Sequence, residues 1–302
     1  MPGFLTHYLA GQKLMNCLGH EPKKILAEHE KLFSLGCQGP DIFFYYFPGL
    51  IYKHTRGLGT AMHNNNLGVF IIDLATKCRE GKNEAVFAYT CGYVMHYTLD
   101  SAAHPYIYAR TTTEGASEVK NAADHRLFET AIDITMLRRL QGKKPNDIKQ
   151  AQLIKAPKAS LLATAYSVSS AIATVYSRPI SISQTYSAMK FMQLFTKCLQ
   201  TKKGRRKRIL RFLEKITIRE PLFSAMMHDQ ETFLEVLNQE KLEYTPPWPN
   251  AKTESSSFLE YFDRSIEEAT KICEVLHGYV YRDTSEDELV TILGNRSLKT
   301  GI

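Results

Sequence analysis

The sequence predicts an all-α protein, and three observations carry that expectation. Most long segments repeat their apolar residues at helical rather than alternating spacing. Runs of Val, Ile and Thr bounded by tight hairpin turns are nearly absent. Breaks in the helical pattern fall at Gly- and Pro-bearing stretches such as GKKPN and TPPWPN.

Taken in order, the clearest helices are expected over residues 5–18, 22–34, 61–79, 83–103, 117–140, 158–175 and 181–199. Pro105 marks the expected end of the fourth, because its ring disfavours helical continuation. GKKPN then turns the chain near 141–146. Further helices are expected near 206–216, 222–237, 256–276 and 285–293, with TPPWPN as a rigid connection between two of them. No repeat of fixed period is visible.

Composition narrows the class. A chain of 302 residues with 44% hydrophobic and 23% charged residues can bury a substantial core, and it is neither fibrous nor disordered. The opening stretch MPGFLTHYLAGQKLMNCLGH lacks a charged start followed by a long apolar core, so no secretion signal is expected. The best apolar window, LGVFIIDLATKC, is broken by Asp73 and Lys77, so no transmembrane segment is expected and the protein is read as soluble. Its six cysteines, Cys17, Cys37, Cys78, Cys91, Cys198 and Cys273, show no CxxC spacing. That pattern argues against a thiolate zinc cluster and a disulfide framework, and for reduced thiols in the cytoplasm. The net charge of +7 is weak evidence for an anionic partner.

The chemistry-bearing residues concentrate in the N-terminal half. In CGYVMHYTLDSAAHPY, His96, Asp100 and His104 are spaced i, i+4, i+8, so a helix projects them from one face. The face rotates slowly, which lets His96 and Asp100 serve one ion while His104 leans toward another. His125 and Glu129, in DHRLFETAID, repeat the i, i+4 geometry on the next helix. Imidazole and carboxylate suit zinc, and helical bundles hold metals with such pairs. A single helical His near a carboxylate is ordinarily an ion pair or a hydrogen-bonded core residue. Five such residues on apolar helices would each need separate satisfaction, whereas metal coordination satisfies them together.

Asp41, in LGCQGPDIFFYYFPG, follows a turn forced by Gly39 and Pro40, and is either a helix N-cap or a carboxylate that needs a cation. The aromatic run from Phe43 to Phe47 is either core or a lipid-facing lip, with Phe43, Phe44 and Tyr45 the candidates for substrate contact. His7 and His63 each begin a helix, and His54 competes with His63 from a basic loop.

Together LGCQGPDIFFY, AMHNNN, GYVMHYTLDSAAHPYI and HRLFET resemble the zinc-dependent phospholipase C family. That family includes the N-terminal domain of glycosylphosphatidylinositol-specific phospholipase D and is similar in fold to single-strand-specific zinc nucleases. The likeness runs in order from about Pro2 to Asp133 and continues more weakly through PPWPN and SSSFLEYFDRSIEEA. It implies one all-helical domain over residues 1–302, with a metal-binding part at about 2–133 and a helical C-terminal part at about 146–302. It implies a first zinc held by Asp41, His63, His96 and Asp100, and a second held by His104, His125 and Glu129. Asp100 would also reach a third ion beside His7 and the N-terminal residue. The bacterial phospholipases expose a tryptophan there by cleavage, so two ions are expected here and the third depends on whether Pro2 supplies the amine.

The implied activity is hydrolysis of a phosphodiester, most naturally a phospholipid, with Asp41 as general base toward the attacking water and Glu129 as a ligand only. Two rivals stand beside it: a nuclease or small-molecule phosphodiesterase on the same fold, and a non-enzymatic protein stabilised by zinc. The basic run Lys202, Lys203, Arg205, Arg206, Lys207 and Arg208 is either a solvated helix start or a docking patch for anionic membrane or nucleic acid.

Overall fold

A computed structural model describes residues 3–46, 48, 55–200, 204–228 and 235–302. Among the described residues there are thirteen α-helices and no strand, and β pairing is confined to an isolated antiparallel bridge between Tyr244 and Glu254. The helices are α1 (Phe4–Cys17), α2 (His20–Glu28), α3 (Glu30–Gly36), α4 (Leu58–Asn64), α5 (Leu67–Gly81), α6 (Glu84–Thr111) and α7 (Glu118–Gln141). They continue with α8 (Gln150–Leu153), α9 (Lys158–Tyr176), α10 (Ile182–Leu199), α11 (Arg205–Thr217), α12 (Phe258–Tyr281) and α13 (Glu286–Leu293). A 3-10 turn, Gly39–Phe43, lies between α3 and α4.

The organising element is α6. Its 28 residues span about 42 Å at helical rise. Phe87, Tyr89, Tyr93, Val94, Tyr97 and Leu99 are all buried, and a helix with large apolar residues on several sides belongs inside the fold. Helices α1, α3, α5, α7, α9 and α12 pack around it. The start of α6 is set by Asn83, whose side chain accepts from the Ala85 and Val86 amides at 3.0 and 3.2 Å. Ser117 caps α7 in the same way, and Ser257 with Glu260 forms a capping box at α12.

Four expectations about helix limits are corrected. The helix expected over 22–34 is two helices that break at His29. That expected over 61–79 is also two, separated by Asn65 in extended and Asn66 in left-handed conformation (φ 58°). Asn tolerates that region because its short polar side chain bonds locally. Pro105 does not end α6, which runs on to Thr111. The C-terminal segment lies over the carbonyl that Pro105 leaves unbonded, so closely that a Cβ on Gly301 would fall 2.5 Å from Ser101 O. Finally, 222–237 holds only a 3-10 turn at Ser224–Met226 among its described residues. Its backbone is committed elsewhere: the Ser224 amide donates to Glu214 at 3.1 Å, and Thr130 donates to Ala225 O at 2.7 Å.

By length and composition α9 could cross a bilayer, but in this fold it packs against α5, α6 and α10.

Candidate metal centre

The site begins with a close helix crossing. A Cβ on Gly92 of α6 would lie 2.2 Å from Phe33 O, and one on Gly36 of α3 would lie 2.1 Å from Tyr89 O. Only glycine on both helices permits that approach. It brings the chain leaving α3 directly onto the polar face of α6. There Gly39 adopts φ 49°, and a Cβ on it would stand 2.4 Å from the His96 ring. The glycine of the GPD motif thus makes room for an imidazole while the turn carries Asp41 inward. Asp41 is not an N-cap; its side chain is buried, with Oδ1 3.2 Å from His63 Nε2.

Three more elements deliver their side chains to α6. From α1, His7 stacks on His96 with ring centroids 4.3 Å apart and places Nε2 3.0 Å from Asp100 Oδ1. His96 Nε2 lies 3.2 Å from Asp100 Oδ2, to which His63 of α4 approaches at 4.0 Å. From α7, His125 places Nε2 2.8 Å from Glu129 Oε1 and its ring 5.7 Å from that of His104.

The rings are oriented from behind. Nδ1 of His63 donates to Gly59 O at 2.7 Å, Nδ1 of His96 to Cys37 O at 3.2 Å, and Nδ1 of His104 to Leu298 O. A proton fixed on Nδ1 leaves Nε2 of the neutral ring as a lone-pair donor, the arrangement metal-binding histidines show. The Asp100 carboxylate facing Nε2 of His96 therefore does not satisfy it. Asp41 Oδ1, both Asp100 oxygens, His96 Nε2 and both His7 nitrogens are buried without a hydrogen-bond partner, the short approaches lacking the required alignment. Leaving so many buried polar atoms unpaired is costly, and a cation among them answers all at once.

The donor atoms fall into three sets, each within 4.8 Å: His7, His96 and Asp100; Asp41, His63 and His96; and His104, His125 and Glu129. All eight side chains expected from the sequence are thus together. Protonation fits the same purpose. Burial pushes the Asp100 carboxyl up, but His96, His104 and His7 outweigh it and hold the group well below the usual range. Burial holds His104 and His125 well below their ordinary value, and burial with His96 lowers His7. His96 is the exception, since Asp100 overcomes its burial and raises it. Ionised carboxylate and neutral imidazole are the forms a metal requires.

A cleft of about 750 Å³ opens over the site, walled by Asp41, His63, His104, His125 and Glu129. His7, His96 and Asp100 lie behind that wall, fully buried. Phe44, Tyr45, Tyr108, Phe195, Phe223 and Trp248 also line the cleft, with Arg126 and Lys299 as cations. Of the aromatic residues expected at substrate, Phe44 and Tyr45 line the cleft, whereas Phe43 packs on the core. His54, Phe47, the N-terminal residue, Lys202 and Lys203 lie outside the described residues.

Sequence reading missed two supports. Asp133 accepts from the Leu5 and Thr6 amides at 2.9 and 2.7 Å, from Thr6 Oγ1 at 2.6 Å, and from His228 Nε2 at 2.8 Å. A carboxylate at the N-terminus of α1 suits the helix dipole and holds the helix that carries His7. Its signal was present, because Asp133 extends the His125 and Glu129 spacing by one more turn. The second support, the C-terminal segment, had no such signal. The Leu298 amide donates to His63 O at 2.8 Å, its carbonyl holds His104, and Lys299 and Thr300 reach the cleft.

An all-helical fold with buried imidazoles and carboxylates converging beside an open cleft defines a metal-binding protein of the helical class. The sequence model of the zinc dependent phospholipase C family matches residues 6–177, more than half of the 302-residue chain. The chain belongs to that family, and the family with this donor set supports zinc as the metal. No curated protein and no solved structure matches the chain.

Proposed function

We propose that the protein is a zinc-dependent hydrolase of phosphodiesters whose substrate is a phospholipid. The observation that carries this reading is the set of unpaired buried donors at and directly behind the wall of a cleft large enough for a headgroup and part of its acyl chains. The two donor sets facing the cleft would hold one ion each, Asp41, His63 and His96 in the first and His104, His125 and Glu129 in the second. His7 and the second oxygen of Asp100, behind them, would take part in holding a third. When bound, zinc supplies Lewis acidity toward a phosphoryl oxygen and lowers the pKa of water.

The chain's own residues do the rest. Asp41 stands at the cleft wall and serves as general base, accepting the proton of the attacking water. Arg126 is held by its bond to Leu222 O at 2.9 Å and by the Phe223 ring, and Lys299 rests over Tyr108 at 5.6 Å. Both cations face the cleft and bind phosphate oxygens not engaged by metal. Phe44, Phe195 and Phe223 take the apolar part of the substrate. The six cysteines, none in a disulfide, support a reducing compartment such as the cytoplasm.

Elemental analysis of the purified protein is expected to find at least two zinc ions per chain. Chelation should abolish hydrolysis of both phosphatidylcholine and a chromogenic phosphodiester, and added zinc should restore it. Fully helical protein that takes up no zinc, or zinc-loaded protein inert toward both compounds, would overturn the reading.

A further inference from the structure

Helix α11 is built with its apolar side outward. Its sequence, RRKRILRFLEKIT, places Ile209, Phe212, Leu213 and Ile216 at i, i+3, i+4 and i+7, the spacing that ordinarily faces a core. Here these four are 63, 63, 52 and 66% exposed, while the one buried residue of the helix is Glu214. The orientation is pinned from inside. Glu214 accepts from the Ser224 amide at 3.1 Å, from the Phe223 amide at 2.5 Å and from the Ser224 hydroxyl, and Lys207 donates to Met227 O at 3.0 Å. Turning the stripe inward would break all of these and bury cations instead.

Charge surrounds the stripe on the same exposed side. At helical spacing Arg205 and Arg206 extend its N-terminal end, while Arg208 and Lys215 run along one flank. An apolar face bordered by long cations whose stems can lie along it and whose heads reach phosphate is the pattern of a helix lying in a bilayer interface. Position agrees with this. Phe195, Leu199 and Phe223 line the catalytic cleft and also a smaller groove whose other side is Arg206 and Leu210 of α11. The helix that carries the stripe is therefore a neighbour of the cleft that a lipid would have to reach.

We infer that α11 docks the protein on anionic lipid bilayers, inserting Ile209, Phe212, Leu213 and Ile216 among the acyl chains and setting its basic residues against acidic headgroups. This rests on the phospholipid reading only for its purpose, since the surface binds bilayer whether or not the lipid is cleaved. Nucleic acid would engage the cations but leave the apolar stripe in water, and a protein partner has no charge pattern here that specifies it.

The test is co-sedimentation of the zinc-loaded full chain with phosphatidylcholine vesicles, with and without phosphatidylserine, for the wild type, Phe212→Glu/Ile216→Glu and Arg205→Glu/Arg208→Glu. Wild type should bind the anionic vesicles and release as salt rises. Both double variants should bind at least about tenfold more weakly. Their exposed positions keep helicity and melting unchanged, and turnover of a soluble chromogenic phosphodiester should match wild type. Failure of wild type to bind either vesicle overturns the docking inference even if phosphodiesters are hydrolysed. Binding without phospholipid hydrolysis leaves docking standing and defeats the phospholipase reading. Undiminished vesicle binding by the Phe212→Glu/Ile216→Glu variant overturns the docking inference. So does a wild-type dimer that this variant dissociates without any vesicle binding, or an oligonucleotide complex lost only in the arginine variant with no vesicle binding.

Discussion

Helices α6 and α11 both invert the usual distribution of side chains, in opposite senses. In α6 the ionisable groups His96, Asp100 and His104 are at 0, 0 and 3% exposure, in the buried middle of the helix. In α11 the largest apolar groups are outside and a carboxylate is inside. Each inversion opposes hydrophobic burial, so each needs a compensating partner. For α6 the compensation would be a cation shared among unpaired donors. Within α11 the buried carboxylate is already satisfied by protein groups, so the missing partner lies outside the molecule and has apolar character. A misplaced polar stripe thus signals a ligand within the fold, and a misplaced apolar stripe signals a surface beyond it.

The comparison breaks most easily at Asp100. At saturating zinc, Asp100→Asn should lower phosphodiester turnover by more than about a hundredfold, beyond the range typical of an outer partner of a ligand. Its oxygens face His7, His96 and His63, so its charge is felt at more than one donor set. Glu129→Gln, at a single set, should chiefly weaken zinc affinity and recover turnover as zinc is raised. Near wild-type turnover of Asp100→Asn beside an inactive Glu129→Gln would move the catalytic centre to His104, His125 and Glu129.

The next effect is structural. Gly92→Ala should cost about 1–3 kcal/mol in urea unfolding, because its Cβ meets backbone that cannot step aside. It should also lower zinc content, since the same crossing positions Asp41. Unchanged stability would mean that α3 and α6 are less tightly apposed than described.

A smaller, graded effect concerns pH. Burial keeps His104 and His125 neutral in the fold, whereas the unfolded chain protonates them near the ordinary 6.5. Below that pH the unfolded state binds more protons, so metal-free protein should lose stability as pH falls from 7 toward 5. His96, raised above its ordinary value, acts in the opposite direction but is outnumbered by His7, His104 and His125. Thermal melts of chelated protein across this range measure the balance, and stability that rises on acidification would show His96 dominant.

The smallest effect is expected on α11. Phe212→Ser should leave stability within about 0.5 kcal/mol, as substitutions at exposed positions do. Phe87→Ala on α6 should cost about 3–5 kcal/mol. A Phe212→Ser variant as damaged as Phe87→Ala would show that the stripe is covered in the native protein.

The amino-acid sequence by itself determined the helical class, most helix positions, and the grouping of ligands within a helix. Those are local properties: periodicity near 3.6 fixes which residues share a face, and i, i+4 spacing brings His96, Asp100 and His104, or His125 and Glu129, side by side without any tertiary information. Bringing His7, Asp41 and His63 to them rested on resemblance to a family and not on spacing. Only the tertiary structure decided the rest. Pro105 stays helical where the C-terminal segment packs over the break, and the described residues 222–228 form only a 3-10 turn where Glu214 and Thr130 claim the backbone. The carbonyl that orients His104 lies 194 residues away, at Leu298, and no local rule anticipates such a contact. Periodicity likewise predicted a helix near 206–216 but not which way its apolar side faces. That direction depends on the partners of Glu214 and Lys207, which exist only once the surrounding chain has folded around them.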